Sequence, residues 1–325
     1  MTILVAVVTI VMSIGLLTGG GELLVKGAIA LARAARVRPA IIGLTIVAFG
    51  TSVPELAVSV FAAVQGSTDV ALGNVVGSNI LNVALIVGLS ALITTLPVHG
   101  QAIAIEWPFM FASSCLAVVI GWSGEFTRFE GALLVMLLLA FNVLVVRDAR
   151  RKVRGPERTK IANEVSHMAR AALARGVILN VTLIVVGIAL LVSGGYLLVR
   201  GAVTVARLAG VTERVIGLTV VAIGTSMPEL TTSIVAARRG HADLAVANVI
   251  GSNIFNILGV LGTVALVHPV AVSGRIEFDM LWMLGFSLML APMMRDKKVS
   301  RFEGALLVSA WLVYLSWLLH QAPGA

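Results

Sequence analysis

Cysteine and charge are what this chain of 325 residues lacks. Cys115 is the only cysteine, so an intrachain disulfide is excluded and thiols say nothing about compartment. Charged residues are 12% of the chain, about half the share of an ordinary soluble domain. With 58% hydrophobic residues and a mean hydropathy of +1.02, the balance excludes a soluble globule and predicts a polytopic membrane protein. Histidine is scarce too. His99, His167, His241, His268 and His320 all lie in or beside polar gaps, which argues against an intramembrane metalloprotease. No basic residue precedes Lys26, so residues 1–25 lack the charged start of a cleavable signal and are expected to remain as a transmembrane helix. The isoelectric point near 10.5 does not point to nucleic acid, because the 24 Lys and Arg fall mostly in short gaps between apolar runs.

What is present is length and repetition. Apolar segments fall at 3–31, 39–64, 70–96, 103–122 and 129–146, and again at 176–205, 214–237, 244–267, 277–294 and 302–319, each about long enough to cross a bilayer. The two sets match at an offset of 174. Gly20-Gly21 pairs with Gly194-Gly195, Lys26-Gly27-Ala28 with Arg200-Gly201-Ala202, and Gly43-Leu44-Thr45 with Gly217-Leu218-Thr219. After one lost residue, Arg128-Phe129-Glu130-Gly131 matches Arg301-Phe302-Glu303-Gly304. Five spans per copy, an odd number, require the second copy to enter from the opposite side. The expected fold is therefore an all-α polytopic membrane protein of ten transmembrane helices in two inverted five-helix repeats, 1–146 and 176–325, joined by a basic linker, 147–175. With the linker cytoplasmic, the inside gaps hold Arg33, Arg36, Arg38, nine basic residues from Arg147 to Arg175, Arg238, Arg239, Arg295, Lys297, Lys298 and Arg301. The outside gaps hold only Arg128, Arg207, Arg214 and Arg275, which places both termini outside the cytoplasm and the chain in the cell (inner) membrane. Ile161, Val165, Met168 and Ala172 have helical spacing, so the linker suits either a membrane-surface helix for anionic lipid or a regulator, or, more simply, a solvated topology signal.

Two motifs carry the chemistry. Gly50-Thr51-Ser52-Val53-Pro54-Glu55 returns as Gly224-Thr225-Ser226-Met227-Pro228-Glu229, each copy inside a spanning segment. A carboxylate at that depth is expensive, and a proline there removes an N–H and frees carbonyls one turn upstream. Thr51, Ser52 and Glu55 share a helical face by their spacing and form an all-oxygen cluster. No lysine or arginine lies at comparable depth in these segments, so the paired glutamates must share a proton or bind a cation. Oxygen ligands without Cys or His suit a hard ion such as Ca2+ or Na+. The second motif gives each following helix a polar stripe, Asn74, Ser78 and Asn82 in one and Asn248, Ser252 and Asn256 in the other. Small-residue packing through Gly73, Gly77 and Gly251 is the structural alternative to ion coordination there, and the two are expected to coexist. Asp69 and Asp243 read as favourable charges at helix starts, and Glu22 as a structural residue partnered by Lys26 at i+4. No nucleophile or acid/base set beyond the two carboxylates indicates an enzyme, and no open polar path indicates a channel.

The duplicated G-T-S-x-P-E and G-S-N motifs in a five-plus-five repeat resemble the cation/calcium antiporter superfamily, specifically prokaryotic sodium/calcium exchangers. The resemblance covers nearly the whole chain. It implies calcium ligation by Glu55, Glu229 and the Thr51 and Thr225 carbonyls. It further implies sodium contacts from the Ala48 and Ala222 carbonyls, Ser52, Ser226, Ser78, Ser252, Thr51 and Thr225, with Asn82 and Asn256 in the remaining inward positions. Some relatives carry aspartate where this chain has Asn256, a departure that speaks against potassium dependence. The expectation is a Ca2+/Na+ antiporter working by alternating access as a monomer, with no cofactor beyond the transported ions; a proton/calcium or other divalent cation exchanger is the alternative.

Overall fold

The computed structural model describes residues 3–35, 39–152, 167–208, 222–272 and 276–320. Apolar runs with no water to satisfy their backbone fold as helices, and helices make up nearly all of the described chain. In order they are α1 (Ile3–Ala35), α2 (residues 39–51), α3 (Val53–Val64), α4 (Thr68–Ile93), α5 (Ala102–Gly121) and α6 (Arg128–Lys152). The second half has α7 (His167–Leu208), α8 (Ala222–Thr225), α9 (Met227–Arg238), α10 (Ala242–Val267), α11 (Ile276–Met293) and α12 (Arg301–His320). Among the described residues seven helices are long and apolar enough to span, or eight when the bent pair α2–α3 counts as one span. Residues 153–166 of the linker are not described. α6 runs on to Lys152 and α7 begins at His167, so the expected linker is partly helical extension of its flanks. Ile161, Val165, Arg36, Arg38, Arg214, Arg275 and the Gly217-Leu218-Thr219 match lie outside the described residues.

α4 and α10 are the centre. In α4 72% of the apolar window is buried and in α10 89%, against 33% or less for the other unbroken spans. Their length is interrupted by π-helical turns, Asn82–Val87 in α4 and Phe255–Leu261 in α10, which widen the helix where polar residues must reach inward. α12 packs on the end of α4, where Gly88 meets Gly304 and Val308; α6 packs on the end of α10, where Gly262 meets Gly131, Leu134 and Val135. These contacts are the same at the repeat offset. α6 and α12 also start alike, with reciprocal capping between Thr127 and Glu130 and between Ser300 and Glu303.

Two ribbons escape the all-helical expectation. β1 (Leu96–Pro97) pairs antiparallel with β4 (Lys298–Val299), and β2 (Glu125–Phe126) with β3 (Val270–Ala271). Leu96 faces Val299 and Phe126 faces Val270, which are corresponding pairs in the two halves. Each ribbon ties a loop of one half to a loop of the other.

α1 and α7 form a separate antiparallel pair, closed by glycines at seven-residue spacing. A Cβ on Gly20 would stand 2.9 Å from the Gly187 carbonyl oxygen, one on Gly27 2.8 Å from that of Asn180, and one on Gly201 3.1 Å from that of Ala6. Only glycine allows backbones this close in a membrane. α1 also lies along α9, with Gly21 facing Thr231 and Val235. Among the described residues α7 forms no comparable seam with α3, whose Phe61 and Val64 are exposed.

Candidate cation site

Each repeated hexapeptide ends one helix and starts the next. Pro54 and Pro228 stand in the first turns of α3 and α9, where a missing N–H is harmless, and the residues before those helices, Ser52 and Ser226, leave the helical path. Their dihedrals nearly coincide, −86° and 8° against −87° and 7°. At Ser52 the chain bends by 41° between α2 and α3. At this break the serine and glutamate side chains pair between the halves. Ser52 donates to Glu229 Oε1 at 2.8 Å, and Ser226 donates to Glu55 Oε1 at 3.1 Å. All four side chains are buried.

The other oxygen of each glutamate, Oε2, is buried with no hydrogen-bond partner among the described residues. Further buried polar atoms on the central helices α4 and α10 also lack a partner among the described residues: Ser252 Oγ, Asn82 Oδ1, and both the amide nitrogen and oxygen of Asn256. A protein interior does not tolerate so many lone polar atoms unless a ligand or water serves them. Ser78 Oγ lies 3.3 Å from Ser226 Oγ, so it joins the cluster. Thr51 Oγ1 donates to the Ala48 carbonyl at 3.4 Å, and that carbonyl also accepts the Ser52 N–H at 3.1 Å. Thr225 is buried with its Oγ1 3.5 Å from Asn74 Oδ1, and Ala222 opens α8. The direct hydrogen bonds thus form two groups, Ser52 with Glu229 and Ser226 with Glu55 and Ser78, and Ser252, Asn82 and Asn256 are buried with oxygens to offer.

The polar stripes divide by role. Asn74 donates to Ser59 Oγ at 3.0 Å and Asn248 to Ser233 Oγ at 3.2 Å, so these two asparagines hold α4 to α3 and α10 to α9. Asn82 donates to Asn253 Oδ1 at 3.0 Å, joining the two central helices, and Asn253 in turn contacts Met110 Sδ at 3.5 Å. Ser59 and Ser233 were not singled out by sequence reasoning, and Asn253 entered it only as the last residue of the G-S-N motif. Their signal is there: Ser59 and Ser233 recur four residues after each glutamate, on the glutamate's face. Gly251 is closely packed, because a Cβ there would collide with the Leu44 carbonyl and stand 2.7 Å from Ala48 Cβ. At the repeat offset Gly73 and Gly77 correspond to Ala247 and Gly251, but a Cβ on Gly73 or Gly77 would meet open space, so the close packing expected through those two glycines is found only at Gly251.

One expected partner is wrong. Glu22 pairs with Arg239 at the corner between α9 and α10, not with Lys26, because α1 passes that corner and brings the arginine to it. Asp69 and Asp243 do lie in first helical turns, and Asp243 Oδ2 is also 3.4 Å from His99 Nε2.

Known proteins are similar to the chain in sequence and in fold. The family described as "Sodium/calcium exchanger protein" matches residues 5–147 and 179–320. The chain is 33% identical to the inner membrane protein YrbG of Escherichia coli (strain K12), over 98% of each chain. It is 37% identical to the putative antiporter CaxA of Alkalimonas amylolytica, over 96% of this chain and 98% of that one. Among solved structures it is similar to the sodium-calcium exchanger NCX_Mj soaked with 10 mM Na+ and zero Ca2+, with a TM-score of 0.84 and 27% identity over 97% of this chain and 99% of that one.

Proposed function

The chain belongs to the sodium/calcium exchanger protein family of membrane cation/calcium antiporters, and on that premise we propose that it exchanges Ca2+ for Na+ by alternating access. The observation that carries this is the crossed pair of contacts, Ser52 to Glu229 and Ser226 to Glu55, which leaves one oxygen of each glutamate unpartnered in a buried site. Two carboxylates held together out of water need cations, and among the described residues no lysine or arginine pairs with either. Ca2+ is coordinated by Glu55 and Glu229 with the Thr51 and Thr225 carbonyls. Na+ takes the Ala48 and Ala222 carbonyls and the hydroxyls of Ser52, Ser226, Ser78 and Ser252, with Asn82 and Asn256 completing the inward positions. Either load neutralises the glutamates, and only a neutralised site passes the apolar barrier at modest cost.

The architecture proposed for this is ten spans in two inverted repeats, with both termini outside the cytoplasm of an inner-membrane protein. Matched features support it: the near-identical dihedrals at Ser52 and Ser226, the corresponding ribbon pairs, and the mirrored packing at Gly88 and Gly262. The α1–α7 pair, bound tightly within itself by glycines, is the unit that slides over a fixed core built on α4 and α10. α1 lies against α9 while α7 leaves α3 open, as expected of a state closed towards the α9–α10 corner and open towards the other face.

Sodium-gradient-driven 45Ca uptake into vesicles tests the exchange, with a pH gradient alone as the comparison. Uptake driven by sodium and not by protons is the expected result. The similarity to CaxA, known only as an antiporter, keeps proton/calcium exchange as the second reading, and uptake driven by the pH gradient alone would establish it.

A further inference from the structure

The two halves are close copies, so the places where they differ are informative. At the offset of 174, Thr232 on α9 corresponds to Val58 and Ser90 on α4 to Val264. Thr232 and Ser90 are both buried, and neither hydroxyl has a hydrogen-bond partner among the described residues. Helical hydroxyls usually bond back to the carbonyl one turn earlier, as Thr45 does to Ile41 and Ser114 to Met110. These two do not, and buried hydroxyls left alone are rare.

Their placement explains what they serve. Thr232 stands three residues past Glu229, about 4.5 Å further along α9 towards the Arg238–Arg239 corner and roughly 60° from it around the helix. The end of α4 packs on α12 and on α9. Its α12 side carries Gly88 and Ala91, which meet Gly304. Ser90 is two residues from Gly88, roughly 160° around the helix, and so faces α9. The two unpartnered hydroxyls therefore belong to the same α4–α9 interface, just beyond the glutamate and on one face only. The equivalent interface in the other half carries valines.

We propose that Thr232 and Ser90 form a polar step on the ion path between Glu229 and the face bearing the α9–α10 corner. Its ligand is a hard cation with part of its hydration shell. The step is dry while α1 covers α9 and becomes wet when the α1–α7 pair withdraws. The opposite route has no such step, so the two faces of a nearly symmetric carrier are unequal. This rests on the alternating-access proposal above.

The test is side-specific thiol labelling in vesicles. In a Cys115→Ala background, Thr232→Cys and Ser90→Cys are expected to react with a positively charged thiosulfonate added at the α9–α10 corner face and not with the same reagent added at the other, while Val58→Cys reacts from the other face. Failure of both cysteines to react from the corner face, with Val58→Cys reacting as stated, would overturn the proposal and make the hydroxyls packing residues. Transport gives a second readout: Thr232→Val with Ser90→Ala should raise the Ca2+ and Na+ concentrations needed at the corner face together, by roughly threefold to tenfold, with those at the opposite face unchanged. Equal changes at both faces would also overturn it. Wild-type vesicles without sodium-driven calcium flux would sink the exchanger proposal alone, since labelling requires only that the path open.

Discussion

At the scale of single residues, each glutamate accepts a hydrogen bond from a serine of the opposite half and keeps one oxygen without a partner among the described residues, which the proposed mechanism gives to the cation. Glu55→Gln and Glu229→Gln keep the side-chain shape but leave about one negative charge against a divalent ion. Each is expected to abolish calcium exchange in a protein that still elutes as a folded monodisperse species; normal calcium transport by either purified variant would remove the carboxylates from the mechanism. Ser52→Ala takes away the donor to Glu229, so the cation must order that carboxylate by itself. Ca2+ binding should weaken by about tenfold, within the 1–3 kcal/mol range of a lost buried hydrogen bond, as measured by equilibrium 45Ca binding. Ser226→Ala should match it, because its bond to Glu55 is the same contact in the other half. The Glu22–Arg239 pair is different in kind. Both side chains are 42% exposed, and a half-exposed pair contributes about 0–1 kcal/mol, so Glu22→Gln should leave thermal stability almost unchanged in a melting assay.

At the scale of elements, the α1–α7 seam decides whether two helices move as one. A methyl on Gly20 would meet the backbone of both Gly187 and Leu191 at 2.9 Å, and backbone cannot step aside as a flexible side chain can. Gly20→Ala is expected to destabilise by about 1–3 kcal/mol and to lower the melting temperature, with transport falling in parallel. Gly15→Ala, on the same helix but facing open space, should be neutral or slightly stabilising from helix propensity alone, so a fall of the same size there would mean the seam is not what Gly20 serves. Periodicity, spanning length and the two repeated motifs were legible in the sequence, because each leaves a pattern along the chain. Partners across the fold leave none. The exchange of Ser52 and Ser226 between halves and the Glu22–Arg239 pair depend on which helix passes which. The two-residue ribbons are too short to show a period, and the π-helical turns within α4 and α10 carry no simple residue signature. Thr232 and Ser90 were hidden for a further reason, since a search for repeats draws attention to what matches and these two are what does not.

At the scale of the whole molecule, the charge carried by the loaded site decides how transport couples to the membrane potential. In the proposed site Asn82 and Asn256 cannot ionise, so Glu55 and Glu229, with both ionised, give it a charge of two negative. One Ca2+ makes a neutral carrier. Two Na+ would do the same; with three Na+ per Ca2+, the stoichiometry proposed here, one extra positive charge crosses and exchange is electrogenic. A net charge crossing the membrane couples to the potential at about 2.3 kcal/mol per 100 mV, which is about a 50-fold change in the calcium gradient that sodium can sustain. The most direct measurement clamps vesicles with potassium and valinomycin under a fixed sodium gradient and finds the calcium gradient at which net flux vanishes. The account predicts that this reversal point moves by about 50-fold per 100 mV, an inside-negative potential favouring calcium exit from that side. A reversal point unmoved by voltage would contradict it and leave two sodium ions or two protons per calcium.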